Sequence, residues 1–249
     1  MRTKNKYLDK IAAIVGETDY NRSAACIVER FRKSGDTLLD AASRLGVDAI
    51  VEEELSFDGG LFEQNGRTII KLSSFSSRTR KRFTLAHEIS HLILATTVRV
   101  KSSCMSDCNL ERACDMLAAE LVMPAQEVTQ FVQEMGSSSP ENLKRLAHRF
   151  DVSLHSAAVR VHQDLKLWKR HIGLWKWESG PKQLWFVGKR PWGTDSPGFA
   201  AFDTARESNR PVRSMDSVRR GQYTEKVSLE LLNIGDGSVC ILGLIGTVS

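Results

Sequence analysis

A chain of 249 residues, 41% of them hydrophobic, is long enough to bury one large core or two modest ones. No window approaches the run of about 18 apolar residues that a membrane helix needs, and the N-terminus MRTKNKYLDKIAAIVGETDY holds only a short apolar patch cut by Gly16 and Glu17, without a signal-peptide pattern. The expectation is a globular cytoplasmic protein with no membrane partner, and five cysteines, an odd number, argue against a disulfide framework.

Taken in chain order, residues 7–15, 20–33 and 36–45 read as three helices, the last ending at Gly46, where a left-handed cap carries little strain. Strands follow. Val47–Val51 and Leu61–Gln64 are the first two, and Asn65-Gly66 before RTIIKLSS predicts a type I′ hairpin turn into a strand over Thr68–Ser74. If Thr68, Ile69, Ile70, Lys71 and Leu72 form the rim of that sheet, their free backbone groups would take an extended peptide as an added strand. A Ser/Arg/Lys loop then leads into the most informative stretch of the chain.

That stretch is FTLAHEISHLIL, Phe83 to Leu94, which sets His87, Glu88 and His91 in the order H-E-x-x-H within an apolar helical pattern. One helical turn separates the histidines, so both imidazoles can reach one Zn²⁺, with Glu88 beside them as general base. The bare motif is short, but Phe83, Leu85, Ile89, Leu92 and Leu94 wrap it in apolar residues, which suits a core helix better than a surface one. A third ligand is expected from ERACDMLAAELVMP, Glu111 to Pro124. Glu111 and Asp115 share a face of that helix, so Glu111 is assigned to the metal and Asp115 to a hydrogen bond that orients a ligating histidine, His87 in this reading. Glu120, on the opposite side, reads as an ordinary solvated or N-cap-bridging glutamate.

The HEISH helix, the following E-x-x-x-D helix and the closing LVMP resemble the ImmA/IrrE family of intracellular metallo-endopeptidases, and the interval from His91 to Glu111 is similar to that of gluzincins. Leu45-Gly46-Val47, Gly59-Gly60-Leu61, LKRLAHRFDVS and AAVRV extend the likeness to roughly residues 35–163. The family often has Asn where this chain has Asp115. The resemblance implies a zincin-like peptidase domain, zinc, and as substrate a helix-turn-helix repressor whose cleavage releases stress-response or mobile-element genes.

Between the two site helices, Cys104, Cys108 and Cys114 cluster, but their spacing is not that of a zinc knuckle, and small buried hydrophobes are the simpler reading than a redox switch. Downstream, Ser139-Pro140 opens a helix to Arg149, Asp151-Val152-Ser153 turns, and a further helix runs from Leu154 to about Gln163. This is a helix-turn-helix shape. Arg160 and His162 could enter a DNA groove, although Val159 and Val161 favour packing. His148, His155 and His162 are weak candidates for an oxyanion donor.

From Leu165 onwards no family motif is found. All five tryptophans lie there, and KQLWFVGK, KVSLELLNI and SVCILGLIG read as strands, with Gly235-Asp236-Gly237 turning between the last two. Residues 160–226 carry 14 Lys/Arg against 7 Asp/Glu. Interleaved tryptophan and positive charge can bind single-stranded nucleic acid, but core tryptophan and a solvated basic face are commoner. The expected fold is α+β: a zincin-like domain with N-terminal helices over 1–135, a helix-turn-helix-like segment over 136–164 and a β-rich basic domain or extension over 165–249. The leading function is zinc endopeptidase. Its alternatives are a non-proteolytic zinc-containing transcriptional regulator or DNA-binding protein, and another zinc hydrolase such as an amidase.

Overall fold

Asn65 and Gly66 take φ of +53° and +73°, the two positive values that a type I′ turn requires, and they close the hairpin around which the first sheet is built. The computed structural model describes residues 20–31, 37–98, 108–177, 181–188, 199–208, 210–220, 223–235 and 238–245. The helix expected over 7–15 lies outside them, as do Cys104 and the Asp236-Gly237 turn. The described residues divide into two compact units: one runs through Glu127 and includes Phe150–Ser153, and the other comprises 128–149 and the chain from Leu154.

In the first unit, α1 (Tyr20–Phe31) and α2 (Leu38–Arg44) precede three strands, β1 (Val47–Glu53), β2 (Gly59–Gln64) and β3 (Arg67–Ser73). Helix α2 starts in a capping box: the Thr37 hydroxyl accepts from the Asp40 amide at 3.2 Å, and the Asp40 carboxylate accepts from the Thr37 amide at 2.8 Å. The sheet order is β1-β3-β2, with β1 parallel and β2 antiparallel to β3. Thr68, Ile69, Ile70, Lys71 and Leu72 therefore form the middle strand, paired on both sides, and not the free rim expected of them. Ile70 and Leu72 are 0% and 5% exposed, so the most buried apolar alternation takes the centre, while β2, with exposed Glu63 and Gln64, takes an edge.

Helix α3 (Arg78–Val98) begins earlier than the apolar pattern suggests. The RTRKR segment read as a loop is its first turns, because Ser77 caps it, accepting the Arg80 amide at 3.3 Å through its hydroxyl and the Lys81 amide at 2.9 Å through its carbonyl. Leu85, Ala86, Ile89, Ser90, Ile93 and Leu94 are buried, and α4 (Cys108–Val122) packs on α3 with Leu110, Ala113, Cys114, Leu117, Ala118 and Leu121 buried. Pro124 ends the run. Glu120, 4% exposed, accepts the Ala125 amide at 3.0 Å, capping α5 (Ala125–Met135). The N-cap-bridging reading holds and the solvated one does not.

Ser139 caps α6 (Pro140–Phe150), accepting the Asn142 amide at 3.1 Å. After the turn, α7 (Leu154–Val159) passes into a π-helical turn, Arg160–Asp164. Arg160 is 1% exposed, so the side chain suggested as a reader of DNA is itself buried. The second sheet is wholly antiparallel, ordered β5-β4-β8-β7-β6: β4 (His171–Trp177), β5 (Pro181–Val187), β6 (Val212–Arg220), β7 (Tyr223–Gly235) and β8 (Ser238–Ile245). Helix α8 (Phe199–Glu207), not expected from the sequence, covers it: Phe202 and Ala205 join Trp175, Leu229, Leu231 and Val239 in one apolar cluster. Trp168 is also buried and Trp185 lies against the His155 ring at 5.1 Å. Trp168 and Trp175 thus pack within the protein and offer no face for base stacking. The architecture is α+β, with eight α-helices and two sheets among the described residues. No helix among them is long and apolar enough to cross a membrane.

Candidate metal centre and active site

His87 and His91 project from successive turns of α3, with ring centroids 4.9 Å apart and planes at 72°. Their Nε2 atoms approach to 3.2 Å. From the first turn of α4, Glu111 meets both: Oε2 lies 3.1 Å from Nε2 of His87 and Oε1 lies 3.6 Å from Nε2 of His91. Among the described residues these three form a cluster of metal-ligating type, with one donor atom from each within 4.8 Å of the others. The two helices thus bring together the residues singled out from sequence.

The far side of each imidazole is also occupied. Nδ1 of His87 lies 3.0 Å from Oδ1 of Asp115, and Nδ1 of His91 lies 3.3 Å from Sγ of Cys114. A carboxylate oxygen accepts, so His87 donates to Asp115 through Nδ1–H, which leaves its Nε2 as the atom facing the cluster. The two Nε2 atoms and the Glu111 carboxylate converge closely enough to share one ion. A divalent cation resolves such a convergence, and two imidazoles with one carboxylate are a donor set that suits zinc. Glu111 is 43% exposed at its side chain, so the cluster is open to solvent on that side.

The electrostatics divide the two histidines. Burial opposes charge on His87, but the bonded Asp115 carboxylate, with Glu88 and Glu111, overcomes it and holds the pKa above the ordinary imidazole value. His91 goes the other way: burial and the neighbouring His87 push it down, against Glu111 and Asp115. Glu88, 8% exposed, is raised by burial and, more weakly, by Glu111, while His87 and a hydrogen bond from the Leu61 amide pull it down. A carboxylate lifted in this way binds a proton more readily. Cys114 is fully buried and its thiol is pushed up, first by burial and then by the charges of Glu111, Asp115 and Glu88. That environment suits an inert thiol, not a low-pKa redox sensor.

Sequence reasoning missed two neighbours. One is the Leu61 amide, because a backbone group leaves no mark in the residue pattern. The other is Arg80, which stands two turns before His87 on the same helical face, a spacing that could have been read. It ion-pairs with Asp58, whose carboxylate also accepts from Ser76 at 2.9 Å. Arg80 holds the Asp58 pKa below the ordinary aspartate range. A depressed folded-state value contributes stability above about pH 4 that fades as pH falls through the folded pKa. Asp58→Asn is therefore expected to be less stable than the parent at neutral pH, with the gap closing in acid. Urea midpoints measured across pH check this, and a gap that stays constant would exclude the pair as its source.

The three weaker histidine candidates all lie in the second unit. His148 is exposed on α6, His155 faces Trp185, and His162 meets the His171 ring at 5.7 Å.

An H-E-x-x-H helix followed by a helix-borne glutamate, with a buried glutamate beside the histidine pair, defines the class of metallopeptidases of gluzincin type. Residues 42–162, just under half of the chain, match the IrrE N-terminal-like domain, so this part of the chain is similar to the ImmA/IrrE metallopeptidases. It is 34% identical over 96 residues to the radiation response metalloprotease IrrE of Deinococcus deserti, a match covering 36% of this chain and 34% of that protein's length. Its fold is similar to a transcriptional regulator of Mycobacterium tuberculosis, with a TM-score of 0.55 over 97% of this chain and 81% of the other at 12% identity.

Proposed function

We propose that this chain is a cytoplasmic zinc endopeptidase that cleaves a helix-turn-helix transcriptional repressor and so derepresses stress-response or mobile-element genes. The observation that carries the reading is the convergence of His87 Nε2, His91 Nε2 and the Glu111 carboxylate beside a buried Glu88. A structural metal site has no use for that neighbouring carboxylate. His87, His91 and Glu111 hold the ion. When bound, zinc supplies Lewis acidity to a carbonyl oxygen and to water. Glu88 accepts the proton of the attacking water on a carboxylate oxygen and returns it to the leaving nitrogen. Asp115, bonded to Nδ1 of His87, fixes that ring's tautomer and orientation.

The domain organisation proposed with this function is a peptidase domain over 1–135, a helix-turn-helix-like segment over 136–164 and a β-rich part over 165–249 that selects the substrate. The partner in this reading is a protein, and nucleic acid is not favoured, in keeping with the burial of Arg160, Trp168 and Trp175. Co-expression of the chain with candidate repressors, followed by mass spectrometry of repressor length, tests the reading, with Glu88→Gln as the control. Shortened repressor only with the parent chain is the expected result. A repressor inactivated yet intact would overturn proteolysis in favour of a non-cleaving regulator.

A further inference from the structure

Helix α4 turns three residues of one face to the two histidines. Glu111, Cys114 and Asp115 stand at i, i+3 and i+4, positions that are neighbours on a helix surface, and each meets a different part of the cluster. Glu111 reaches the inner Nε2 atoms of both rings. The outer Nδ1 atoms are met by the other two, Asp115 at 3.0 Å on His87 and Cys114 at 3.3 Å on His91. Adjacent residues of one helix thus back the two imidazoles, one each.

These backings differ in kind. A carboxylate is a charged and strong acceptor, whereas a thiol is a neutral and weak one. The torsion that turns an imidazole about its Cβ–Cγ bond is soft, so a ring keeps one orientation only where its nitrogens are held. His91 is 9% exposed at its side chain and Cys114 is 0% exposed, so solvent does not stand in for the thiol. Since Nε2 of His91 faces the cluster, a ring ready to bind a metal there carries its proton on Nδ1 and donates it to Sγ. The contact fixes both where the ring points and which nitrogen it presents.

We propose that Cys114 is a positioning residue for His91, holding that ring through Nδ1–H···Sγ as Asp115 holds the ring of His87. The inference rests on the metal centre of the endopeptidase reading and not on cleavage. In this role the sulfur is neither nucleophile nor ligand, because it lies behind the ring, against the nitrogen turned away from the cluster. Residue 114 therefore sets how firmly zinc is held without touching the ion.

Zinc affinity of the full chain, read by competition with a chelator, tests this with two substitutions that part hydrogen bonding from packing. Cys114→Ser keeps an acceptor but is smaller than the thiol, while Cys114→Val fills the space and accepts nothing. Cys114→Val should bind zinc about tenfold more weakly than the parent, the low end of the cost of losing a partner behind a ligating histidine. Cys114→Ala, which removes the acceptor without crowding the helix interface, should weaken binding in the same way, and Cys114→Ser should stay close to the parent. In ¹H–¹⁵N spectra of the zinc-loaded protein, the Nδ1–H of His91 should exchange slowly with water in the parent and the serine variant and faster in the other two. A purely packing role predicts the opposite order, with valine near the parent and serine weaker. That order, or equal affinity in all four proteins, would overturn the proposal. Parental zinc binding in His87→Ala would instead overturn the metal centre on which it rests.

Discussion

Glu88→Gln is expected to retain the metal and the fold while losing peptide cleavage by about 10²–10⁴-fold, the range over which a positioned general base acts. The exchange is close to isosteric, so the buried site keeps its packing and Leu61 keeps an acceptor. What is lost is basicity. In the parent, burial lifts the Glu88 pKa towards the range where a carboxylate takes up a proton readily, and His87 and Leu61 stop it from rising further. An amide cannot take the proton at any pH. Metal analysis, a melting curve and a cleavage assay on the same preparation separate the possibilities, and parental turnover in this variant would eliminate Glu88 as the base.

Glu111→Ala and Glu120→Ala are expected to have opposite consequences although both glutamates lie on α4. Glu111 faces the two Nε2 atoms at 3.1 and 3.6 Å. Its removal should weaken zinc binding by more than about 100-fold, since loss of even an outer partner costs about 10–100-fold, and His87→Ala and His91→Ala should do the same. Glu120 caps α5 through the Ala125 amide. Its removal should leave zinc affinity unchanged and lower stability by about 1 kcal/mol, as for other lost caps. Competition with a chelator reads the first effect and urea unfolding the second. Normal zinc in Glu111→Ala with loss in Glu120→Ala would reverse the assignment of the third ligand.

Much of the site was legible because its chemistry is written in spacing. A step of four from one imidazole to the other and a step of four from Glu111 to Asp115 are helical intervals, and two helices packed on one another bring such faces together without help from distant sequence. The hairpin was legible for a similar reason, since Asn65-Gly66 names its own turn. The order of strands was not. Nothing in Thr68–Ser73 says that β1 pairs on its far side, because sheet order is settled by tertiary pairing and not by local pattern. The start of α3 was obscured by RTRKR, charged residues that read as loop but extend a helix capped by Ser77. In the second unit, α8 and β6 escaped notice because PGFAAFDTARES and VRSMDSVRR have weak periodicity, and their identity comes from what they cover or pair with.

The central place of β3 also sets an order of events during folding. Residues 59–73 can pair as soon as they are made, because the turn at Asn65-Gly66 closes a contact between immediate neighbours, and hairpins form in about 1–10 μs. Strand β1, although synthesised first, must wait: its parallel partners, from Val47 with Thr68 to Glu53 with Ser73, close a much longer loop and add only to an edge that the hairpin has already presented. The strand that would have made a free rim is thus the template on which the sheet is assembled, and the backbone groups it might have offered to another chain are used within the protein first.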